Sequence, residues 1–278
     1  MYTARQLERA RELAYRHSGI TLGPNKDVMI ANRLDKLKRD VAHDDIDAIL
    51  SAVEQGRYVD TFISTFTTNK TNFFRESFHF DDLRDRVFKQ AAGKGSELKI
   101  YCSAASTGEE PYSILMTMEA AKTVHSDAAL NYSLLATDID TDVLRHASNG
   151  IYEWQKNAED FPEWIRPSEY FKRRPHPTKE GDYLIKVKET LARRVRFERH
   201  NLMAQEYPFK PHEFDVVFCR NVLIYFNQND QNAILKKLFR TLKPGGTLYL
   251  GHSESPLELS PYVERYGQNI FVKTKEYP

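Results

Sequence analysis

The sequence predicts a small all-helical N-terminal domain followed by an α/β domain, a doubly wound and largely parallel sheet carrying a small antiparallel β insertion. Three observations predict it. Residues 1 to about 90 place apolar side chains at helical spacing, and nothing there alternates like a strand. From about Leu98, short apolar or β-branched runs ending in polar residues alternate with helical stretches. One segment, 168–195, breaks that rhythm with prolines, a Glu-Gly turn and an alternating run at Tyr183–Val187. The expected division is a helical domain over 1–66, a linker helix region over 67–90 and the α/β domain over 91–278.

Taken in order, the first helix opens at a Thr3 cap, carries Leu7, Ala10, Leu13 and Ala14 on one face and stops at Gly19. In the second, Ile30, Leu34, Leu37 and Val41 form an apolar stripe, while Arg33, Lys36 and Arg39 recur on a separate face. Helical patterns near Ile46–Gln55 and Tyr58–Phe66 complete this unit. Five runs then read as strands: LKIYCSA, NYSLLATDID, RVRFERHNL, FDVVFCRN and GTLYLGHS. Glu109–His125, Thr141–Ala147 and Gln228–Leu242 read as the helices between them. LKPGGTLYL reads as a helix stop, a turn at Pro244–Gly246 and a hairpin strand.

Forty basic residues against thirty-nine acidic ones leave a net charge of +1, which gives no reason to expect nucleic acid or a membrane surface as partner. Cys102 and Cys219 lie far apart inside apolar runs, without zinc-ligand spacing, as in a reduced cytoplasmic protein. No apolar run suits membrane insertion or secretion. One local imbalance stands out. Residues 166–200 hold eleven Lys/Arg and five Asp/Glu, either a solvated face or a docking patch for an acidic partner.

In an open α/β sheet, ligands bind beyond the carboxyl ends of the strands, so the residues after each run matter most. The first turn, SAASTGEEPYS, has Gly108 and small residues that permit close backbone approach, but no G-x-G-x-x-G. Glu109 and Glu110 at the next helix start would repel a pyrophosphate, and an acidic side chain can accept hydrogen bonds from an ammonium or a ribose. The plainer reading is that they complement the helix dipole. The second strand shifts the balance: Asp138 ends it, twenty-eight residues after Glu110, placed to accept bonds from ribose hydroxyls. A nucleoside carrying cation rather than phosphate fits, and S-adenosylmethionine is that nucleoside.

The run FCRNVLIYF has Arg220, Asn221 and Tyr225 where enzymes methylating exocyclic amines carry Asn/Asp-Pro-Pro-aromatic, which argues against an adenine or glutamine-amide acceptor. Upstream, Asn69, Thr71 and Asn72 fall at the seam between domains. Phe73 and Phe74 would anchor this stretch and leave Arg75 aimed at the cleft.

TNKTNFFRE, SAASTGEEPYS, ATDID, FCRNVLIYF and LKPGGTLYLGHSE together resemble the chemotaxis receptor glutamate methyltransferases, the CheR family, over nearly the whole chain. The resemblance implies a Rossmann-like S-adenosylmethionine-dependent methyltransferase domain with an inserted three-stranded β subdomain. It implies transfer of methyl groups to glutamate carboxylates of methyl-accepting chemotaxis proteins. Asn69, Thr71 and Arg75 would line the cofactor and acceptor site, with one of Glu109 and Glu110 facing the methionine end or the ribose. Asp138 would take the ribose, Asn201 and Leu202 would flank the adenine, and Arg220 with Asn221 would close the pocket. Arg75 and Tyr225 would stand nearest the reacting methyl. Arg33, Lys36 and Arg39 would dock on the cytoplasmic helical bundle of a chemoreceptor. Family members that bind a receptor tail pentapeptide carry a glycine-rich turn in the β subdomain; RRPHPTKEGDY departs from it, so tethering is not expected here.

Two rival readings, an RNA methyltransferase and a non-catalytic cofactor-binding module, are opposed respectively by the charge balance and by the presence of both Arg75 and Tyr225. GHSES around Ser253 lacks the second glycine of a nucleophile elbow, and His252 reads as a strand-end residue with a structural bond.

Overall fold

The computed structural model describes residues 2–92, 95–126, 129–155 and 161–277. Four helices form the N-terminal unit: α1 (Ala4–Ser18), α2 (Asp27–Asp40), α3 (Ile46–Glu54) and α4 (Val59–Phe66). Thr3 and Gln6 form a reciprocal capping box at the start of α1. Gly19 ends it at φ 77°, where a Cβ would lie 2.4 Å from the Met203 side chain. Ile30, Leu34 and Leu37 are buried in the bundle core, and Val41, at the α2 cap, is half-buried.

Residues 78–91 continue as α5 (Phe78–Asp82), a π-turn over Leu83–Val87 and α6 (Phe88–Ala91). The α/β unit follows as β1 (Leu98–Cys102), α7 (Glu109–Val124), β2 (Tyr132–Asp138), α8 (Thr141–Asn149), β3 (Ile151–Gln155), α9 (Pro167–Tyr170), β4 (Phe171–Pro175), β5 (Asp182–Val187), α10 (Glu189–Ala192), β6 (Val195–Arg199), β7 (Phe214–Cys219), α11 (Gln228–Thr241), β8 (Leu242–Leu250), β9 (Val263–Gly267) and β10 (Ile270–Lys273).

The main sheet has the order β6-β2-β1-β7-β8-β10-β9, and β10 runs antiparallel to the other six strands. The chain leaves β1 toward β2 and β6 on one side and returns to β7 on the other, so the switch point lies between β1 and β7. One core lies between the sheet and α7, and a second lies between the opposite face and α11. Because α7 is buried nearly all round, its sequence shows little one-sided patterning.

Two expectations need correcting. Pro244–Gly246 do not form a turn before a strand: β8 runs from Leu242, absorbs them in a register shift against β7, and pairs antiparallel with β10 rather than with the next strand. The small sheet, β3-β5-β4, also draws on Ile151–Gln155, ahead of 168–195, because β3 supplies the partner for the alternating run of β5. Its apolar face, with Tyr152, Phe171, Ile185 and Val187, merges into the α7 core, and Phe73 packs edge-on against Tyr152 and Phe171.

Candidate active site

The carboxyl ends of β1, β2 and β7 open into a cleft closed on one side by the linker 67–71 and by the end of α1. Asn69, Thr71, Arg75, Glu110, Asp138, Arg220, Asn221 and Tyr225 all line it. Asn201 and Leu202 line an adjoining recess that shares Ser18, Ala104, Asp138, Ile139, Val222 and Phe226 with the cleft. Glu109 lines neither; its carboxylate accepts the Thr107 hydroxyl at 2.6 Å beside the α7 N-terminus. The first-turn glycine also serves another purpose. A Cβ on Gly108 (φ 101°) would meet the Tyr152 hydroxyl at 2.6 Å and the Ala147 side chain at 2.8 Å, so its smallness admits α8 and the small sheet rather than a ligand.

At the β2 tip, Asp138 is buried, with Oδ1 accepting the Asp140 N–H at 3.0 Å and Oδ2 the Ser106 N–H at 2.8 Å. Burial pushes its carboxyl up to about 6, although those N–H groups work in the opposite direction. Asp140 caps α8 through Oδ1, and its Oδ2 receives Thr67 Oγ1 and Asn69 Nδ2, each at 2.9 Å. Ser106 Oγ donates to the Asn69 carbonyl at 2.9 Å. The linker is thus fastened across the cleft by the same turn that holds Asp138.

At the β1–β7 switch, Glu110 and Glu76 flank Arg220. Arg220 Nη1 donates to Glu110 Oε2 at 2.8 Å, its Nη2 lies 3.2 Å from Glu76 Oε2, and the guanidinium is fully buried. Burial raises the Glu110 pKa, with Arg220 opposing it; Glu76, where Arg220, Asn221 and the His252 N–H outweigh burial, is held below the ordinary carboxylate value. Arg75 is 42% exposed at the mouth, and its Nη1 donates to the Lys70 carbonyl at 3.3 Å. Phe74, Glu76, Ser106 and Asn221 around the cleft all have left-handed backbone, which non-glycine residues keep only where surroundings impose it.

Asn201 does not offer a free amide: Nδ2 donates to the His17 carbonyl at 3.0 Å and Oδ1 accepts the Met203 N–H, so it pins the recess to α1. Arg33 is likewise committed. Its guanidinium donates to the Thr65 and Thr67 carbonyls, both at 2.7 Å, and to Thr68 Oγ1, closing the C-terminus of α4. Lys36 and Arg39 remain exposed. Sequence reasoning missed Glu76, Asp140 and Glu254. The Glu254 carboxylate accepts the N–H groups of Gly251, Asn221, Val222 and Leu223, which fixes the left-handed turn at Asn221. Its distance from Asn221 along the chain hides the pairing.

The lining suits S-adenosylmethionine: the carboxylates of Asp138 and Glu110 both reach the cleft, acceptors fit for a nucleoside carrying cation rather than phosphate, and the turn after β1 has no G-x-G-x-x-G. Residues 69–270 match the family described as "CheR methyltransferase, SAM binding domain". The chain is 38% identical over 271 residues to the chemotaxis protein methyltransferase of Escherichia coli (strain K12), covering 96% of this chain and 90% of that one. It is 37% identical to that of Salmonella typhimurium over 95% of this chain and 88% of the other. With chemotaxis protein methyltransferase 2 of Pseudomonas aeruginosa it shares 32% identity, over 97% and 93%. With cleft chemistry and sequence in agreement, the chain belongs to the CheR family of methyltransferases, S-adenosylmethionine-binding enzymes of chemotaxis.

Proposed function

We propose that this methyltransferase esterifies glutamate side chains of chemoreceptors. The observation that carries the reading is Arg75: it stands partly exposed at the cleft mouth, and its Nη2 has no partner among the described residues. An acceptor carboxylate is already ionised at neutral pH, so no general base is needed. Arg75 holds it by charge-assisted bonds, and Tyr225, also on the cleft wall, orients it or the methionine portion. S-adenosylmethionine supplies a methyl group activated on a sulfonium. Asp138 accepts its ribose hydroxyls, Glu110 its ammonium, and the Asn201–Leu202 recess its adenine. Asn69 and Thr71, with Arg220 and Asn221, complete the walls. Lys36 and Arg39 are the docking residues in this reading, whereas Arg33 is occupied at the seam. Tail tethering has no place in it: the β4–β5 turn is tied to the His176 ring by the N–H groups of Thr178 and Lys179.

The test is methyl transfer from labelled S-adenosylmethionine to a chemoreceptor cytoplasmic fragment, followed by alkali. Glutamyl esters release the label as methanol, and an alkali-stable label would sink the carboxylate reading. Calorimetry tests the pocket separately. Asp138→Ala should abolish S-adenosylhomocysteine binding. A carboxylate titrating near 6 accepts hydroxyl bonds best when ionised, so wild-type affinity should fall about tenfold from pH 7 to pH 5. A pH-independent affinity would remove Asp138 from the ribose.

A further inference from the structure

Glu76 does not line the cleft, yet it is tied to two residues that do, Arg220 and Asn221. Its Oε1 accepts Asn221 Nδ2 at 3.1 Å and the His252 N–H at 3.2 Å, and its Oε2 faces Arg220 at 3.2 Å. It is also the neighbour of Arg75, whose Nε lies 4.0 Å from Oε1 and whose carbonyl accepts from Arg220 Nη2. On the other side of Arg75, the Phe74 N–H donates to Ser113 Oγ at 2.9 Å, and the Phe74 ring packs against Phe80 and Trp164. Phe74 and Glu76 both have left-handed backbone, φ 50° and 58°. Arg75 is therefore held between two imposed turns, with only its side chain free to reach the mouth.

We propose that Glu76 is a positioning residue for methyl transfer: its carboxylate locks the backbone of Arg75 to the Arg220–Asn221 strand tip, so that the Arg75 guanidinium meets the acceptor in one orientation. The proposal rests on the reading of Arg75 as the acceptor's partner. A glutamate suits the position because it must pair its charge with a guanidinium while accepting from a side-chain amide and a backbone N–H, and an ionised carboxylate strengthens all three contacts. Burial works against its ionisation, but those three donors keep the carboxyl below its ordinary range. The same arrangement explains why a residue with unfavourable left-handed geometry sits here rather than glycine. Glycine would adopt the turn but leave Arg220 and Asn221 without their common partner.

The experiment compares Glu76→Ala, Glu76→Gln, Arg75→Ala and the Arg75→Ala/Glu76→Gln double variant. Steady-state methyl transfer is measured with S-adenosylmethionine and a chemoreceptor cytoplasmic fragment varied separately, alongside calorimetry with S-adenosylhomocysteine and thermal melts. Glu76→Ala should lower kcat/KM for the acceptor about 100-fold, the scale of a misplaced orienting group. Its S-adenosylhomocysteine Kd should shift by no more than about tenfold, as for one lost hydrogen bond. Glu76→Gln keeps both bonds to Oε1 and loses the ion pair, so it should retain intermediate activity and remain usable if the alanine variant folds poorly. If Glu76 acts through Arg75, the double variant should be no slower than Arg75→Ala alone. Full acceptor kinetics in both Glu76 variants beside a crippled Arg75→Ala would overturn the proposal, as would parallel losses of acceptor rate, product affinity and melting temperature. An Arg75→Ala enzyme with wild-type kinetics would instead overturn the reading of Arg75, and the proposal with it.

Discussion

Two charged clusters in this molecule sit in opposite surroundings. At the tip of the main sheet, the Arg220 cation lies between the carboxylates of Glu76 and Glu110; at the small sheet, the Glu153 carboxylate lies between His176 and Lys179. The first is out of water, with the Arg220 side chain 0% exposed, whereas the Glu153 and Lys179 side chains are 58% and 51% exposed. In the buried cluster, each polar atom left alone costs its desolvation, so the groups hold one another in a single arrangement. In the exposed one, water replaces any partner that leaves. An ion pair therefore says little until its surroundings are known, and only the buried cluster can hold a reaction site in register.

Arg220→Met should break the comparison most sharply. It leaves buried Glu110 and half-buried Glu76 without their cation, and removing one member of a buried ion pair costs about 3–5 kcal/mol. The sign of the pH dependence follows from Glu110, whose pKa burial already raises in the presence of Arg220. Without the arginine its folded pKa rises further above the unfolded value, so the folded state binds extra protons and is relatively stabilised at low pH. That advantage is lost as pH rises through the folded pKa. Denaturant melts should show the greatest loss near pH 8 and the smallest near pH 4. An equal loss at both values would mean that the carboxylates remain solvated and that the cluster is not closed.

Much of this cluster was hidden in the sequence, although the strands that present it were not. The apolar runs at Leu98–Cys102, Tyr132–Asp138 and Phe214–Cys219 mark a parallel sheet, and the polar residues after them mark its ligand end. Asp138, Arg220 and Asn221 were legible for that reason. Glu76 and Glu254 were not, because their partners lie far along the chain and periodicity reports only the local face. Gly108 misled because a glycine beside a ligand turn and one packed under Tyr152 look alike in sequence. Arg33 misled for a similar reason: spacing every three residues groups it with Lys36 and Arg39, but the C-terminus of α4 captures it. The β3 strand went unrecognised because its pairing partner β5 comes after an intervening helix and strand.

Arg33 sharpens the comparison at intermediate depth. Its guanidinium is partly buried and donates to two backbone carbonyls and a hydroxyl beside the linker that crosses the cleft. Hydrogen bonds from a charged donor contribute about 1.5–3 kcal/mol, and partial exposure lowers the expected cost of Arg33→Ala to about 1–2 kcal/mol. Lys36→Ala, on the exposed face of the same helix, should leave stability unchanged and lower only salt-sensitive methylation of the receptor fragment. Equal stability losses in the two variants would show that position on the helix, rather than what the cation touches, sets its worth.

The smallest effect belongs to Lys179→Ala at the small sheet. Lys179 Nζ pairs closely with Glu153 Oε2, and the contact lowers the pKa of Glu153 and raises that of Lys179, chiefly through the hydrogen bond between them. Both groups remain in water, where side-chain entropy and screening offset the attraction, so the denaturant midpoint should stay where it is in the wild type. His176→Ala in the same cluster should act differently. That ring is only 9% exposed and accepts from the backbone N–H groups of Thr178 and Lys179, so its loss opens the β4–β5 turn. Because those bonds do not depend on the salt bridge, the His176→Ala loss should persist in 1 M NaCl. If the Lys179 variant were instead destabilised, and salt destabilised the wild type to match it, the exposed cluster would be contributing through charge, and its contrast with Arg220 would be one of degree.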